Sequence, residues 1–235
     1  MKITFDHSDQ VASNIRMFWF KPDKEIRQTA GQYIELRIPH DNKDNRGDKR
    51  WFTLSSSPTE AMVAITTKII PECSSFKKAL QDLQPGEVID MASPMGDFVL
   101  PKDPGQAVLF VAGGIGCTPY RSMITYLKDS TESRNIGLLY AANSLEEVAF
   151  KDAFSSALGD KFTIILSNPG SNWQGLKGHV DATVILAQLQ DKDNDLIYLS
   201  GPEMMVDGLH QALKDAGFNK KHIKTDRFPG YGANT

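Results

Sequence analysis

The run Val111-Ala112-Gly113-Gly114-Ile115-Gly116-Cys117-Thr118-Pro119 can do chemistry with its backbone alone. It follows Val108-Leu109-Phe110-Val111-Ala112, a continuous apolar stretch that reads as a strand covered on both faces, and it opens a helical segment. Glycines at such a turn let the chain bend sharply and approach a pyrophosphate closely. The helix N-terminus beyond them offers unpaired amide donors and a partial positive charge. Pro119 suits the first helical turn, where a missing N–H costs nothing. The plain alternative is a glycine-rich turn without a ligand, because the spacing is not the common Gly-x-Gly-x-x-Gly.

A second group is Lys49-Arg50-Trp51-Phe52-Thr53-Leu54-Ser55-Ser56-Ser57-Pro58. Arg50 can grip a phosphate with two donors, and on a regular strand Phe52 and Thr53 point to opposite faces. An edge strand with a surface arginine and a serine-rich turn is the competing reading. A third group, Ser200-Gly201-Pro202-Glu203-Met204-Met205, again ends a strand at glycine and starts a helix at proline. Taken alone, it reads better as an ordinary turn with core methionines. His7, His40, His179, His210 and His222 lack metal-ligand spacing, so solvated or capping roles are expected and no metal site. The two cysteines, Cys73 and Cys117, are too few for an iron–sulfur cluster and form no Cys-x-x-Cys pair. Redox chemistry here would fall to an organic cofactor.

The elements that must position these groups fall into two halves. Up to about residue 100 the chain reads as strands: Asn14 to Phe20, Tyr33 to Ile38 with strict alternation, Arg50 to Ser55, Met62 to Ile70, Val88 to Met91 and Phe98 to Leu100. Turn chemistry separates them at Lys21-Pro22-Asp23, Ala30-Gly31, Pro85-Gly86 and Met95-Gly96-Asp97. Short strands so spaced suggest a closed antiparallel barrel, interrupted by a helix from Ser75 to Leu83. Pro101-Lys102-Asp103-Pro104-Gly105 reads as a linker. Beyond it strands and helices alternate: helix Pro119 to Lys128, strand Ile136 to Tyr140, helix Leu145 to Leu158, strand Phe162 to Leu166, helix Asp181 to Leu189, strand Leu196 to Leu199, helix Pro202 to Ala216, and a strand around His222 to Phe228. Ser144 and Glu147 form a capping-box pattern at the start of the Leu145 helix. Alternation of this kind means a parallel sheet covered on both faces. The expected organisation is a β domain over residues 1–101 and an α/β domain over 106–235.

Composition narrows the function further. Of 235 residues, 40% are hydrophobic and 23% charged, and 26 basic against 29 acidic side chains leave a net charge of −3. No basic excess points to nucleic acid. No apolar run is long enough for a membrane span, and the N-terminus lacks a signal-peptide core, so the cytoplasm is the expected compartment.

In this order, the three groups resemble the ferredoxin–NADP reductase superfamily of flavoproteins over nearly the whole chain. That family's Arg-x-Tyr/Phe-Ser/Thr motif is matched by Arg50, Phe52 and Thr53, and its Gly-Gly-x-Gly-x-Thr-Pro turn by Gly113, Gly114, Gly116, Thr118 and Pro119. Its Cys-Gly-Pro turn is matched by Gly201 and Pro202, with Ser200 in place of cysteine. Gly31-Gln32-Tyr33, Pro85-Gly86, Gly96-Asp97-Phe98, Asp226-Arg227-Phe228 and Gly230-Tyr231 agree.

The resemblance implies a six-stranded Greek-key FAD-binding barrel followed by a doubly wound NAD(P)-binding domain. It implies that Arg50 neutralises the flavin pyrophosphate, Phe52 packs on the flavin, and Thr53 hydrogen-bonds flavin N5. Leu54, Ser55, Thr66, Thr67 and Lys68 would line the flavin. Ser74 and Ser75, before a helix whose amides favour an anion, would give a second phosphate contact and so favour FAD over FMN. Gly113 to Pro119 would hold the nicotinamide dinucleotide, with Thr118 near the carboxamide; Gly201, Pro202 and Met204 would extend that site and Ser200 lie by the nicotinamide. Phe228 and Tyr231 would shield the far flavin face, or else be a packed strand end and a loose tail. Ala141-Ala142-Asn143-Ser144 carries no cation for a 2′-phosphate, which favours NADH over NADPH. The implied activity is an NAD(P)H-dependent reductase passing electrons to ferredoxin, flavodoxin, an oxygenase component or a small molecule. A reductase of free flavin or ferric complexes, and a non-catalytic redox sensor, are the alternatives. The sequence leaves the oligomeric state open.

Overall fold

The computed structural model describes residues 1–228. Its first half is built from β1 (Lys2–Ala12), β2 (Ile15–Pro22), β3 (Tyr33–Arg37), β4 (Lys49–Thr53), β5 (Val63–Lys68) and β6 (Val88–Met91). They pair antiparallel in the order β4-β3-β6-β1-β2-β5, and a bridge from Leu54 to Ile65 joins the two edges into a barrel. Alternation explains the filling: Ile3 and Phe5, Phe18 and Phe20, and Ile34 and Leu36 all point inward and are buried. Helix α1 (Ser75–Asp82) plugs the barrel with Phe76 and Leu80. Ser74 caps it, accepting a hydrogen bond from the Lys77 amide at 3.4 Å.

The second half alternates β7 (Val108–Gly113), α2 (Thr118–Asp129), β8 (Ile136–Ala142), α3 (Lys151–Leu158), β9 (Phe162–Leu166), β10 (Leu176–Lys177), α4 (Ala182–Ala187), β11 (Leu196–Pro202), α5 (Glu203–Asp215) and β12 (Ile223–Phe228). The sheet is parallel, in the order β10-β9-β8-β7-β11-β12. Every residue of β7 is buried, because one core packs on each face of the sheet. α2 is held by Tyr120, whose ring stacks on Phe110 at 4.3 Å and whose hydroxyl donates to the Tyr198 carbonyl at 2.7 Å. A ring pair of this kind contributes about 0.5–1.5 kcal/mol beyond burial. The order of crossovers reverses between β7 and β11, which opens a crevice at their carboxyl ends.

Several elements depart from the sequence reading. β1 carries inward apolar residues only at Ile3 and Phe5, so its remaining length has no periodic signature and is held by pairing with β2. The expected helix from Leu145 to Leu158 breaks: a 3₁₀ turn spans Leu145–Glu147, and Phe150, at φ 57°, precedes α3. The Ala149 amide donates to the buried Tyr140 hydroxyl at 3.2 Å instead of to a helical carbonyl. The capping box does not form, since the Ser144 side chain makes no cap bond. Phe98 to Leu100 is not a strand; Phe98 packs against Tyr120 and Tyr198 and ties the barrel to the α/β half. Among the described residues, no helix is long and apolar enough to cross a membrane.

Candidate active site

At the switch point the two central glycines serve different needs. Gly114, at φ 51°, faces open space, for a Cβ there would meet nothing within 4 Å. Gly116 is pressed on β11, and a Cβ there would lie 2.1 Å from the Ser200 carbonyl oxygen. One glycine keeps the crevice open; the other lets the turn lie against the next strand. The Thr118 hydroxyl donates to the Ile115 carbonyl at 3.1 Å and is buried, so it locks the turn. Pro119 lies in the first turn of α2. The crevice, of about 660 Å³, is lined on one side by Gly113, Gly114, Pro202 and Met204, and Met204 is 79% exposed at its mouth. Asn143 and Glu147 line the other side, and Lys68 reaches in from β5. The Lys68 ammonium stands 3.9 Å from the Glu147 carboxylate, which also accepts from Asn143 at 3.2 Å. The resemblance implies Lys68 along the flavin and assigns Glu147 no part here.

On the barrel, β4 brings Arg50, Phe52 and Thr53 together. One Arg50 terminal nitrogen donates to both Asp44 carboxylate oxygens, at 2.7 and 2.9 Å. The other donates to the carbonyls of Arg46, Gly47 and Lys49. Its Nε is buried and unpartnered. Partial burial pushes Asp44 up, but the Arg46 amide and the Arg50 guanidinium outweigh this and hold its carboxyl below the usual range. Ser75 beside them accepts from the Asp44 amide at 3.0 Å and contacts His40 Nε2 at 3.1 Å. An arginine with an orphaned donor beside a serine-rich helix start fits a phosphate group. Phe52 packs on Phe76 in the barrel core. Thr53, Leu54, Ser55, Thr66 and Thr67 are buried, and the Ser55 and Thr66 hydroxyls pair at 2.8 Å.

On β11, Ser200 is fully buried opposite Asp226 of β12. Its hydroxyl reaches the Asp226 carboxylate at 3.5 Å, the outer limit of a hydrogen bond. Desolvation pushes Asp226 up to about 6, only partly opposed by Ser200. Local spacing gives no hint of this pair, because two strands adjacent in space are separated in sequence by α5. Gly201 lies in register with Arg227 and Pro202 with Phe228; Gly230 and Tyr231 lie outside the described residues.

A raised carboxylate pKa costs stability once the group must ionise. Between the unfolded value near 4 and the folded value of about 6, the folded state binds more protons, so stability falls as pH rises through that window. Asp226→Asn is expected to stabilise the protein by about 2–3 kcal/mol at pH 7.5, with the gain vanishing toward pH 4. Denaturant midpoints of both proteins at the two pH values check this, and a pH-independent gap would contradict it.

Residues 2–100 match a family described as an oxidoreductase FAD-binding domain, and residues 110–211 one described as an oxidoreductase NAD-binding domain. The chain is 29% identical over 213 residues to the phenol hydroxylase P5 protein of Acinetobacter pittii, covering 88% of this chain and 59% of that one. It is 26% identical over 220 residues to the glycine betaine monooxygenase reductase subunit of Chromohalobacter salexigens, covering 90% and 57%. The chain thus spans less than three-fifths of either relative. In fold it is similar to the flavohem-like FAD/NAD-binding domain of nitric oxide dioxygenase from Vibrio cholerae, with a TM-score of 0.82 at 19% identity over 97% of this chain and 98% of that one.

Proposed function

This chain belongs to the ferredoxin–NADP reductase-like superfamily, as an oxidoreductase with FAD- and NAD-binding domains, and from that premise we propose that it oxidises NADH and passes electrons to a separate redox component of an oxygenase. One observation carries the reading: the crevice at the Gly114 turn takes its lining from both halves, with Lys68 at the end of barrel strand β5 reaching in beside Gly113, Gly114 and Pro202. FAD, when bound, supplies a ring nitrogen that takes hydride from the nicotinamide and can release electrons singly.

The protein's own residues bind and orient. Arg50, with the α1 start at Ser74 and Ser75, neutralises the FAD pyrophosphate. Thr53, Ser55, Thr66 and Thr67 would shape the flavin wall, backed from the barrel core by Phe52 and Leu54, and the Thr53 hydroxyl would offer the flavin a hydrogen bond. Gly113, Gly114 and Gly116 admit the dinucleotide backbone, Thr118 and Pro119 set the helix that faces it, and Gly201, Pro202 and Met204 close over it. Ser200 and Phe228 border the nicotinamide position. Lys68 offers its charge to the dinucleotide phosphates. The Glu147 carboxylate in the same crevice suits a ribose diol and repels a 2′-phosphate, which supports NADH. The names of the two curated relatives support an oxygenase system as the acceptor's setting.

A second reading, in which flavin is an exchanging substrate, is favoured by the Asp44 carboxylate on Arg50, a built-in competitor for the flavin phosphate. An anaerobic absorbance titration of the purified protein with NADH and then NADPH tests both. Bound flavin bleached by NADH at lower concentration than by NADPH is the expected result. Colourless protein that turns over only with added flavin would favour the second reading, and a flavin left oxidised by both nucleotides would sink the reductase assignment.

A further inference from the structure

Ser55, Ser56 and Ser57 follow the Arg50–Thr53 strand after Leu54, and all three are tied, directly or through Glu60, across the domain boundary. The Ser55 carbonyl accepts from Arg121 at 2.9 Å, and the Ser56 carbonyl from the Ser122 hydroxyl at 2.7 Å. The Ser57 amide donates at 2.6 Å to Glu60, whose carboxylate in turn takes both terminal nitrogens of Arg121. Arg121 and Ser122 sit on α2, the helix that grows out of the Gly114–Cys117 turn. A further tie joins the far end of α2, where Asp129 accepts from Thr59 at 2.5 Å.

We propose that Arg121 is a positioning residue that sets the register between the flavin-holding strand and the nucleotide-holding turn; this rests on the functional reading above. The geometry suits that task better than simple adhesion. A planar guanidinium gripping a carboxylate with both terminal nitrogens resists sliding and rotation, which a lone ammonium does not. Its side chain is only 14% exposed, and the guanidinium lies 5.6 Å from the Trp19 ring and 5.9 Å from the Phe150 ring, so solvent screens the pair weakly. The clasp touches the flavin wall only through the Ser55 main-chain carbonyl and contacts neither the crevice lining nor Arg50, so its loss leaves the phosphate-gripping arginine and the glycine turn with their own contacts. What it governs is the placement of one relative to the other, and transfer between two bound rings falls steeply with sub-ångström displacement.

Arg121→Ala and Glu60→Gln, each loaded with FAD, test this by three readouts. Dissociation constants for FAD and NADH are expected within threefold of wild type. Flavin reduction at saturating NADH is expected to slow about 10- to 100-fold in Arg121→Ala and less in Glu60→Gln. The long-wavelength absorbance of stacked nicotinamide and flavin rings is expected to fade in proportion, with faster amide hydrogen exchange at Ser57. Arg121→Lys should rescue little, because it keeps charge without the fork. Wild-type reduction rates and unchanged long-wavelength absorbance in both variants would overturn the positioning role while leaving the reductase reading intact. A wild-type protein that never takes up or reduces flavin would instead overturn the reading beneath it.

Discussion

Gly116→Ala is expected to cost the protein about 3 kcal/mol of stability and nearly all nucleotide binding. The added methyl would lie 2.1 Å from the Ser200 oxygen, 2.4 Å from its carbonyl carbon and 2.6 Å from the Gly201 amide. All three are backbone atoms of a central strand, so no rotamer change can relieve the overlap, and either the turn or β11 must move. Overpacking a rigid interior typically costs 1–3 kcal/mol, and here the displaced strand also carries Ser200. Gly114→Ala is the companion measurement. Its methyl meets nothing, so the cost is the left-handed backbone alone, about 1 kcal/mol, yet the methyl projects into the crevice. Nearly preserved stability with a KM for NADH raised about tenfold or more is expected there. Denaturation curves with nucleotide titrations separate the two, and equal effects from both substitutions would mean that the glycines do not divide the work as described.

Arg50→Ala is expected to release flavin on dilution, with affinity lowered at least 100-fold. Charge-assisted hydrogen bonds to a phosphate contribute about 1.5–3 kcal/mol each, and Arg50 is the guanidinium beside the α1 start. Its loss also frees the carbonyls of Arg46, Gly47 and Lys49 and leaves Asp44 without its counter-charge, so the loop ahead of β4 loosens as well. Asp44→Asn is expected to move the other way, tightening flavin several-fold, because the carboxylate competes with the phosphate for the same guanidinium. Ultrafiltration of loaded protein, followed by flavin absorbance of retentate and filtrate, reads both variants. Wild-type retention by Arg50→Ala would remove Arg50 from the flavin site.

Much of the fold and part of the site are legible in the residues themselves. The uninterrupted apolar run at 108–112 marks a strand with both faces covered, and the strict alternation at 33–38 marks one with a single inward face. The glycines at 113, 114 and 116 and the Arg50–Thr53 group mark the places where a backbone can approach a phosphate or a guanidinium can grip it. Each of these is a local demand, met by one residue type at one spacing, so a linear text can carry it. The break at Phe150 was not legible, because the buried Tyr140 hydroxyl that draws off the Ala149 amide belongs to another strand.

The paired charges follow the same division. Asp226 facing Ser200, Lys68 beside Glu147, and Arg121 clasping Glu60 are pairs of ordinary residues far apart in the chain. Taken one at a time, their side chains look like solvated surface. Sequence alone determined the two strand-to-helix turns and the order of the longer strands and helices, because backbone geometry and hydrophobic period act over a few residues. Tertiary structure alone decided which charges meet and which lose their water, because Coulombic pairing and desolvation depend on neighbours that only the assembled sheets bring together.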